Sequence, residues 1–397
     1  SFPPAVKAAK TAAEKYNAYV ALDIGPLGQL LEPMGTLCFD DAYELFAQQI
    51  KIGVSCGVDM IYIETMSDLY EARAALLAAK EHSSLPVFVT MSFEKDGRTF
   101  SGCDPASMAI TLTGLGADAI GLNCSLGPKE ALPIMEQIAQ NTHLPLIAKP
   151  NARIPKLIGQ NTVFNVNAEQ FAKEMVRFAG LGIFILGGCC GTNPDFIART
   201  EKIFKDAYTK RQLPPARSAV CSGSKTVYID NVCVIGERIN PTGKKALKQA
   251  LINNDIGYIL KQAADQLDAG ADILDINVGI PDIDQAQTMT RVIKAVQSIT
   301  NAPLQIDSND PEVIERALRY YNGKALVNSV TGEENSLKTI LPIIKKYGAA
   351  VVGLTLDEGG IPDTAQGRFD VAKKIIAAAD SYGIPKEDAY IDCLTLT

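Results

Sequence analysis

Three cysteines occur in settings that could hold a metal ion. Cys124 follows the apolar run 119–123, and the adjacent pair Cys189 and Cys190 lies in the glycine-rich stretch 187–191. Cysteine thiolates bind zinc, and a site with three protein ligands keeps a fourth position for water or substrate. A thiol substrate in that position would be deprotonated and activated for attack on a methyl group. The trio therefore predicts a catalytic zinc site; the alternative is three buried core cysteines.

A second set of side chains combines carboxylates with amides at or near the ends of apolar runs: Glu237, Asn240, Asn277, Asp307, Asn328 and Asp392. A carboxylate accepts two donors side by side, and an asparagine offers both a donor and an acceptor. Such a ring suits a flat heterocycle with a cyclic amide beside an exocyclic amine. The alternative is that these residues only form turns and helix caps, which is the interpretation we adopt for Asp255 and Asp310.

Both sets depend on a repeated pattern of a short apolar run, a turn and a helical stretch. Strands are predicted at residues 18–24, 60–64, 87–92, 119–123, 146–149 and 183–186, and again at 232–236, 273–277, 304–307, 325–328, 350–354 and 390–394. Helices are predicted between them, for instance at 70–82, 168–179, 256–269 and 311–320. Continuous apolar runs are typical of parallel strands that are buried on both faces.

Polar residues at successive strand ends are typical of a (β/α)8 barrel, whereas an open doubly wound sheet would concentrate them at one switch point. We therefore predict an α/β fold with two TIM-type (β/α)8 barrels in tandem. Six strands per half are fewer than the eight of a closed barrel, so each barrel is expected to be incomplete in a chain that begins without Met and ends at Thr397. The alternative is that weak strands escape the pattern.

The length of 397 residues favours two domains. We predict a first barrel over residues 1–205 and a second over residues 226–397. A linker is predicted over residues 206–225, where Pro214, Pro215, Gly223 and several serines interrupt the pattern.

Composition narrows the possible partners and the compartment. The net charge is −7 with both signs mixed along the chain, so no basic stripe suggests nucleic acid. No apolar run is long enough to span a membrane. Nine scattered cysteines, an odd number, favour a cytoplasmic protein over a disulfide framework.

The segments 119–125 and 187–195 resemble the homocysteine S-methyltransferase family, in which an Asn-Cys motif and a Gly-Gly-Cys-Cys-Gly motif hold zinc. The resemblance covers about residues 18–200 and implies that Cys124, Cys189 and Cys190 bind Zn²⁺, with homocysteine sulfur as the fourth ligand. It also implies that Glu64 and Asn123 belong to the homocysteine site, Glu64 by binding the amino group. The stretch 23–26 resembles another site loop, whereas the family's opening Asp-Gly-(Ala/Gly)-Met-Gly-Thr segment is absent.

The stretch 235–243 and the later strand ends resemble the pterin-binding family, which includes dihydropteroate synthase and corrinoid-linked methyltetrahydrofolate methyltransferases. This resemblance extends from about residue 226 to the end. It implies that the pterin ring is held by Asp307, Asn328 and Asp392, and that the mouth of the same site is lined by Glu237, Asn240 and Asn277.

The order of the two resemblances is similar to that in the cobalamin-dependent methionine synthase family. It implies methyl transfer from 5-methyltetrahydrofolate to cob(I)alamin, and then from methylcobalamin to zinc-bound homocysteine thiolate. Neither His82 nor His143 fits the family's Asp-x-His-x-x-Gly cobalamin motif, so cobalamin is expected in another module or a separate subunit. The alternatives are a homocysteine methyltransferase fused to a flavin-dependent methylenetetrahydrofolate reductase, and a non-catalytic folate-binding corrinoid partner.

Overall fold

The computed structural model describes residues 2–152, 156–158, 161–163, 166–281 and 283–395, the two three-residue stretches by their backbone only. The chain forms two compact units, Ser1–Pro215 and Ala216–Thr397. In chain order the first unit contains α1 (Phe2–Glu14), β1 (Ala21–Ile24), α2 (Phe39–Ser55), β2 (Met60–Met66), α3 (Leu69–His82), β3 (Val87–Met91), α4 (Pro105–Gly114), β4 (Ala119–Asn123), α5 (Pro128–Gln140), β5 (Leu146–Lys149), β6 (Lys156–Ile158), β7 (Asn161–Val163), α6 (Ala168–Met175), β8 (Ile185–Leu186) and α7 (Pro194–Ala207).

The main sheet of the first unit consists of six parallel strands in the order β1-β2-β3-β4-β5-β8. The order follows the chain without reversal, as in a barrel and unlike a doubly wound sheet. Every residue of β4 is buried. Gly121 is required at its centre, because a Cβ there would lie 1.8 Å from the carbonyl oxygen of Ile147 on β5. β6 and β7 form a separate antiparallel hairpin.

The second unit contains β9 (Ala219–Ser222), β10 (Thr226–Tyr228), β11 (Ile235–Ile239), α8 (Lys245–Ile252), α9 (Ile256–Asp268), β12 (Ile273–Ile276), α10 (Gln285–Ile299), β13 (Leu304–Asp307), α11 (Pro311–Tyr320), β14 (Gly323–Lys324), β15 (Leu326–Thr331), α12 (Glu334–Tyr347), β16 (Ala350–Leu354), α13 (Ala365–Ser381) and β17 (Ala389–Asp392). Its main sheet is also parallel and sequential, in the order β11-β12-β13-β15-β16-β17. The predicted α/β fold class with TIM-type sheets is therefore confirmed, with six strands in each sheet of the described chain.

Part of the predicted linker is wrong. Residues 219–222 form β9, a fully buried strand at the centre of a small antiparallel sheet with the order β10-β9-β14. Val220 packs against Ile273, Leu326 and Ala350, the first residues of three strands, so this small sheet covers the amino-terminal end of the second parallel sheet. Burial of that end explains why a segment rich in serine and proline nevertheless contains a strand.

Helix termini follow local chemistry. Asp255 caps α9 by accepting a hydrogen bond from Tyr258 N, and Asp310 caps α11 through Glu312 N, which confirms the interpretation of both residues as caps. The helix predicted at 168–179 is an α-helix only to Met175 and continues as a 3₁₀ helix, Val176–Leu181. It ends at Gly182, whose φ of 60° is left-handed. Within the described residues, none of the helices is long and apolar enough to cross a membrane.

Candidate metal centre and ligand cavity

The three cysteines predicted to bind metal lie together at one end of the first sheet. Cys124 follows β4, Cys189 and Cys190 follow β8, and β5 lies between these two strands. The sulfur atoms of Cys124 and Cys190 are 3.7 Å apart, and all three sulfur atoms lie within 4.8 Å of one another. Tetrahedral zinc with Zn–S bonds of about 2.3 Å places its sulfur ligands about 3.8 Å apart. The donor set therefore fits a tetrahedral thiolate metal site.

Backbone conformation aims the three thiols at one point. Cys124 and Ser125 have left-handed φ angles of 63° and 51°, so the chain turns sharply as it leaves β4. Gly191 has a φ of 81°, which lets the chain turn immediately after the cysteine pair. Gly188 is needed for space instead, because a Cβ there would lie 2.2 Å from Cγ2 of Thr192. The two glycines therefore contribute differently: Gly191 permits a left-handed turn, and Gly188 permits a close approach of Thr192.

The loop that follows β5 braces the cysteine pair. Cys189 N donates to the carbonyl oxygen of Pro150 at 3.0 Å, and Cys190 N donates to Asn151 Oδ1 at 3.0 Å. Ala152 N donates in turn to the carbonyl oxygen of Cys190 at 3.1 Å. Asn151 is itself buried. Three hydrogen bonds between this short loop and the cysteine pair therefore fix the backbone at two of the three thiols.

The surroundings of Cys189 and Cys190 favour the neutral form of these two thiols. Burial, followed by the neighbouring Cys124 and Cys190 thiols, raises the pKa of Cys189 to about 11. The pKa of Cys190 is raised chiefly by its hydrogen bond with Cys124 and by the charge of that group. Three thiolates cannot be crowded together without a compensating positive charge. A cation bound by these sulfur atoms would supply that charge and favour the thiolate form of Cys189 and Cys190.

Two further residues were predicted to bind homocysteine. Glu64, on β2, accepts a hydrogen bond through Oε2 from Lys149 Nζ at 2.5 Å, so its carboxylate lies at the same sheet end as the thiols. Asn123 is completely buried, and its Oδ1 accepts from Thr65 N at 2.8 Å and Thr90 Oγ1 at 2.7 Å. Its Nδ2 donates to Thr65 Oγ1 at 2.7 Å. It also donates to Cys189 Sγ at 3.9 Å, so the amide lies against the thiols and helps to position them. A direct contact of Asn123 with homocysteine stays a prediction.

The second unit contains a cavity of about 600 Å³ at the carboxyl ends of β13 and β15. Its lining includes three of the predicted pterin-binding residues, Asn277, Asp307 and Asn328. Asn277 Nδ2 donates to Asp307 Oδ2 at 2.9 Å, which orients the carboxylate. Burial raises the pKa of Asp307, this hydrogen bond lowers it, and the nearby charge of Glu237 raises it again. These three residues thus contribute one half-buried carboxyl group and two amides to the cavity lining.

The other three predicted residues do not line this cavity. Glu237 is exposed and lies 3.7 Å from Lys244 Nζ in an ion pair. Asn240 Oδ1 accepts from Thr242 N at 3.0 Å, and Asp392 Oδ1 accepts from Leu394 N at 2.8 Å. Asparagine and aspartate commonly bond the backbone two residues ahead, so both side chains stabilise local turns. Their contact with a ligand stays a prediction.

Asp275, on β12, lies two residues before Asn277, and the sequence pattern did not indicate a role for it. It is 1% exposed, and Gln305 Nε2 donates to its Oδ1 at 2.5 Å. Its Oδ2 has no hydrogen-bond partner among the described residues. Burial, opposed by the hydrogen bond from Gln305 and reinforced by the charges of Asp307 and Glu237, raises the pKa of Asp275 to about 7. A buried carboxyl group therefore lies beneath the Asn277–Asp307 pair.

Comparison with known proteins agrees with the two-unit arrangement. Residues 3–204 match the family model of the homocysteine S-methyltransferases, and residues 236–397 match that of the pterin-binding enzymes. The first match spans half of the chain; the chain belongs to the homocysteine S-methyltransferase family and continues into a pterin-binding enzyme domain. The second match also argues against a flavin-dependent reductase as the second unit.

The chain is 28% identical over 402 residues to a methionine synthase of Mycobacterium leprae, an alignment that covers 96% of this chain and 33% of that protein. The chain therefore spans about a third of the length of this relative. Among solved structures, the metallated homocysteine methyltransferase of Escherichia coli is 19% identical with a TM-score of 0.43 over 51% of this chain and 69% of that one. Dihydropteroate synthase of Thermus thermophilus is 24% identical with a TM-score of 0.34 over 44% of this chain and 64% of that one.

Proposed function

We propose that this chain supplies the two substrate sites of a methionine synthase, one for homocysteine and one for 5-methyltetrahydrofolate. The observation that supports the proposal most strongly is the group formed by Cys124, Cys189 and Cys190, whose sulfur atoms lie within 4.8 Å of one another. The group belongs to the unit that matches the homocysteine S-methyltransferase model.

In the first unit, Cys124, Cys189 and Cys190 would hold Zn²⁺ as thiolates. The ion would supply one function when bound: it accepts the homocysteine sulfur as a fourth ligand and keeps it ionised. The chain's own residues supply position. Asn151 fixes the cysteine pair, Asn123 fixes the turn at Thr65, and Glu64 offers a carboxylate for the substrate's ammonium group.

In the second unit, Asp307 and Asn328 would bind the pterin ring within the cavity, with Asn277 orienting the carboxylate. A carboxylate accepts the paired N–H donors of a cyclic amide and its exocyclic amine, and an asparagine can complement the remaining donor and acceptor atoms. Glu237, Asn240 and Asp392 remain proposed contacts at the mouth of the same site.

The overall reaction moves a methyl group from N5 of the folate to the sulfur of homocysteine, while the thiol proton is balanced by the proton that the folate amine gains. A cobalamin carrier is implied, bound by a separate module or subunit. We place the protein in the cytoplasm, a location supported by nine cysteines that are all free thiols.

The proposal is tested by two half-reactions with cobalamin added in solution. The zinc-loaded chain should make methionine from methylcobalamin and homocysteine, and should make methylcobalamin from 5-methyltetrahydrofolate and chemically reduced cob(I)alamin. Treatment with a zinc chelator should stop the first reaction and spare the second. Folate binding without either turnover would support a non-catalytic corrinoid partner instead.

A further inference from the structure

A small charged group lies beside the three thiols at the same end of the first sheet. Lys149, the last residue of β5, donates from Nζ to Glu64 Oε2 at 2.5 Å, and both side chains are largely buried. The same Nζ lies 4.5 Å from the ring centroid of Tyr62. Asp23, on β1, interacts electrostatically with both residues. Burial and the charge of Glu64 raise the pKa of Asp23, and the charge of Lys149 lowers it.

Lys149 is held close to the thiols by the fold. Its strand lies between the two strands that precede the cysteines, and Lys149 is in register with Asn123, the residue before Cys124. The carbonyl oxygen of Lys149 accepts a hydrogen bond from Cys124 N at 3.1 Å. Its side chain runs past Gly187, where an added Cβ would lie 3.0 Å from Lys149 Cγ. The absence of a side chain at Gly187 therefore leaves room for the lysine beside the cysteine loop.

The charges of this group complement an amino acid. Asp23 and Glu64 together can bear one more negative charge than Lys149 neutralises, and this surplus attracts an ammonium group. A lysine has three N–H donors, of which Glu64 engages one, while the aromatic face of Tyr62 stabilises the cation from one side. The remaining donors can bind an anion, and a carboxylate on the same carbon as an ammonium group is an anion of suitable size.

We propose that Lys149 binds the α-carboxylate of the thiol substrate while Glu64 binds its ammonium group, so that the site selects zwitterionic amino acids. The inference rests on the proposed function, because it requires that the substrate sulfur binds beside Cys124, Cys189 and Cys190. It adds a specificity-determining residue to that site. Lys149 stays near Glu64 in the complex, and the substrate's two charges complete a four-charge arrangement in which each charge has an opposite neighbour.

The test compares two thiols that differ in the carboxylate alone. Calorimetry on the zinc-loaded 397-residue chain measures the Kd of L-homocysteine and of 3-aminopropane-1-thiol, which keeps the thiol and the ammonium group. We expect the wild-type chain to prefer homocysteine by about 10- to 100-fold, the range for a charge-assisted hydrogen bond in a largely buried site. Lys149→Met should abolish this preference by weakening homocysteine binding only, whereas Lys149→Arg should keep most of it.

Lys173→Met is the matched control, because Lys173 forms an exposed ion pair with Glu169 on α6, and both affinities should be unchanged. Equal affinity of the wild-type chain for the two thiols would overturn the inference without any variant. A Lys149→Met chain that holds zinc and still prefers homocysteine would overturn it as well. If the zinc-loaded wild-type chain binds neither thiol, the proposed function fails first, so the two failures are distinguishable.

Discussion

Each unit contains its own six-stranded parallel sheet with the strands in sequential order. The two sheets differ in the residues at the carboxyl ends of their strands. In the first unit, left-handed turns and a bracing loop bring three sulfur atoms within 4.8 Å of one another. In the second, carboxylate and amide side chains line an open cavity of about 600 Å³. The same kind of sheet therefore presents either a compact cluster of thiols or an open cavity, and the residues at the strand ends decide which.

Removal of one thiol should have the largest effect, because it should change zinc affinity in the first unit and leave folate affinity in the second unit unchanged. We expect Cys190→Ala to weaken zinc binding by more than about 100-fold, because even the loss of a residue that merely supports a ligand costs about 10- to 100-fold. 5-Methyltetrahydrofolate binding should not change. Competition with a chromophoric zinc chelator and folate calorimetry measure the two affinities. Joint loss of both in a folded variant would contradict the independence of the sites.

The converse variant is Asp307→Ala, which removes a half-buried carboxyl group from the cavity lining. Loss of its hydrogen bonds to the pterin should weaken folate binding by about 10- to 100-fold while zinc affinity stays the same. Asp255→Ala is the control, since it removes an equal charge from the cap of α9 outside the cavity lining. Unchanged folate affinity in Asp307→Ala would remove this residue from the pterin site.

The loop that follows β5 supports the cysteine pair, and a change in this loop should have a smaller effect on zinc affinity. Asn151→Ala removes the acceptor for Cys190 N, and we expect zinc affinity to fall about tenfold, in the range typical of residues that orient metal ligands. Asn151→Asp keeps an acceptor oxygen and should recover part of the loss. Asn141→Ala, at the exposed end of α5, serves as the control for a generic asparagine truncation. Equal zinc affinity in all three variants would show that the loop does not support the site.

Asp275 provides a test in the second unit that depends on pH. Its pKa of about 7 lies above the ordinary value of 3.8. Between about pH 4 and pH 7, Asp275 is therefore protonated in the folded state and ionised in the unfolded state. Stability is therefore lost as the pH rises from about 4 to about 7, and the full cost persists above pH 7. Asp275→Asn should raise the unfolding free energy by about 1–2 kcal/mol at pH 8 and much less at pH 4. Denaturant unfolding at both pH values measures this, and an equal effect at the two would contradict a raised pKa.

The strands that position both sites could be predicted well from the sequence. The runs 119–123, 146–149, 304–307 and 350–354 have the observed bounds, because a strand buried on both faces is apolar throughout. The convergence of Cys124 with Cys189 and Cys190 also follows from strand order, since the ends of neighbouring parallel strands share one edge. These features depend on local pattern and chain order alone.

Features created by distant contacts could not be predicted in the same way. Strand β9 is stabilised by pairing with Gly323 and Lys324, about a hundred residues later, and its own sequence resembles a linker. The edge strand β11 was predicted at 232–236 but begins at Ile235, because Val232 is 96% exposed despite its apolar type. Asn151 could be recognised as a polar residue at a strand end, but its hydrogen bond with Cys190 N and the ion pair of Lys149 with Glu64 join residues that are far apart in the chain, so no local pattern predicts these contacts.

The proposed function requires that three protein thiolates bind zinc and that the substrate sulfur becomes the fourth ligand. X-ray absorption at the zinc edge of the metal-loaded chain measures this directly. We expect three sulfur neighbours at about 2.3 Å with one lighter neighbour, changing to four sulfur neighbours when homocysteine is added. A sulfur count that differs from three in the free chain, or that does not rise with homocysteine, would contradict it.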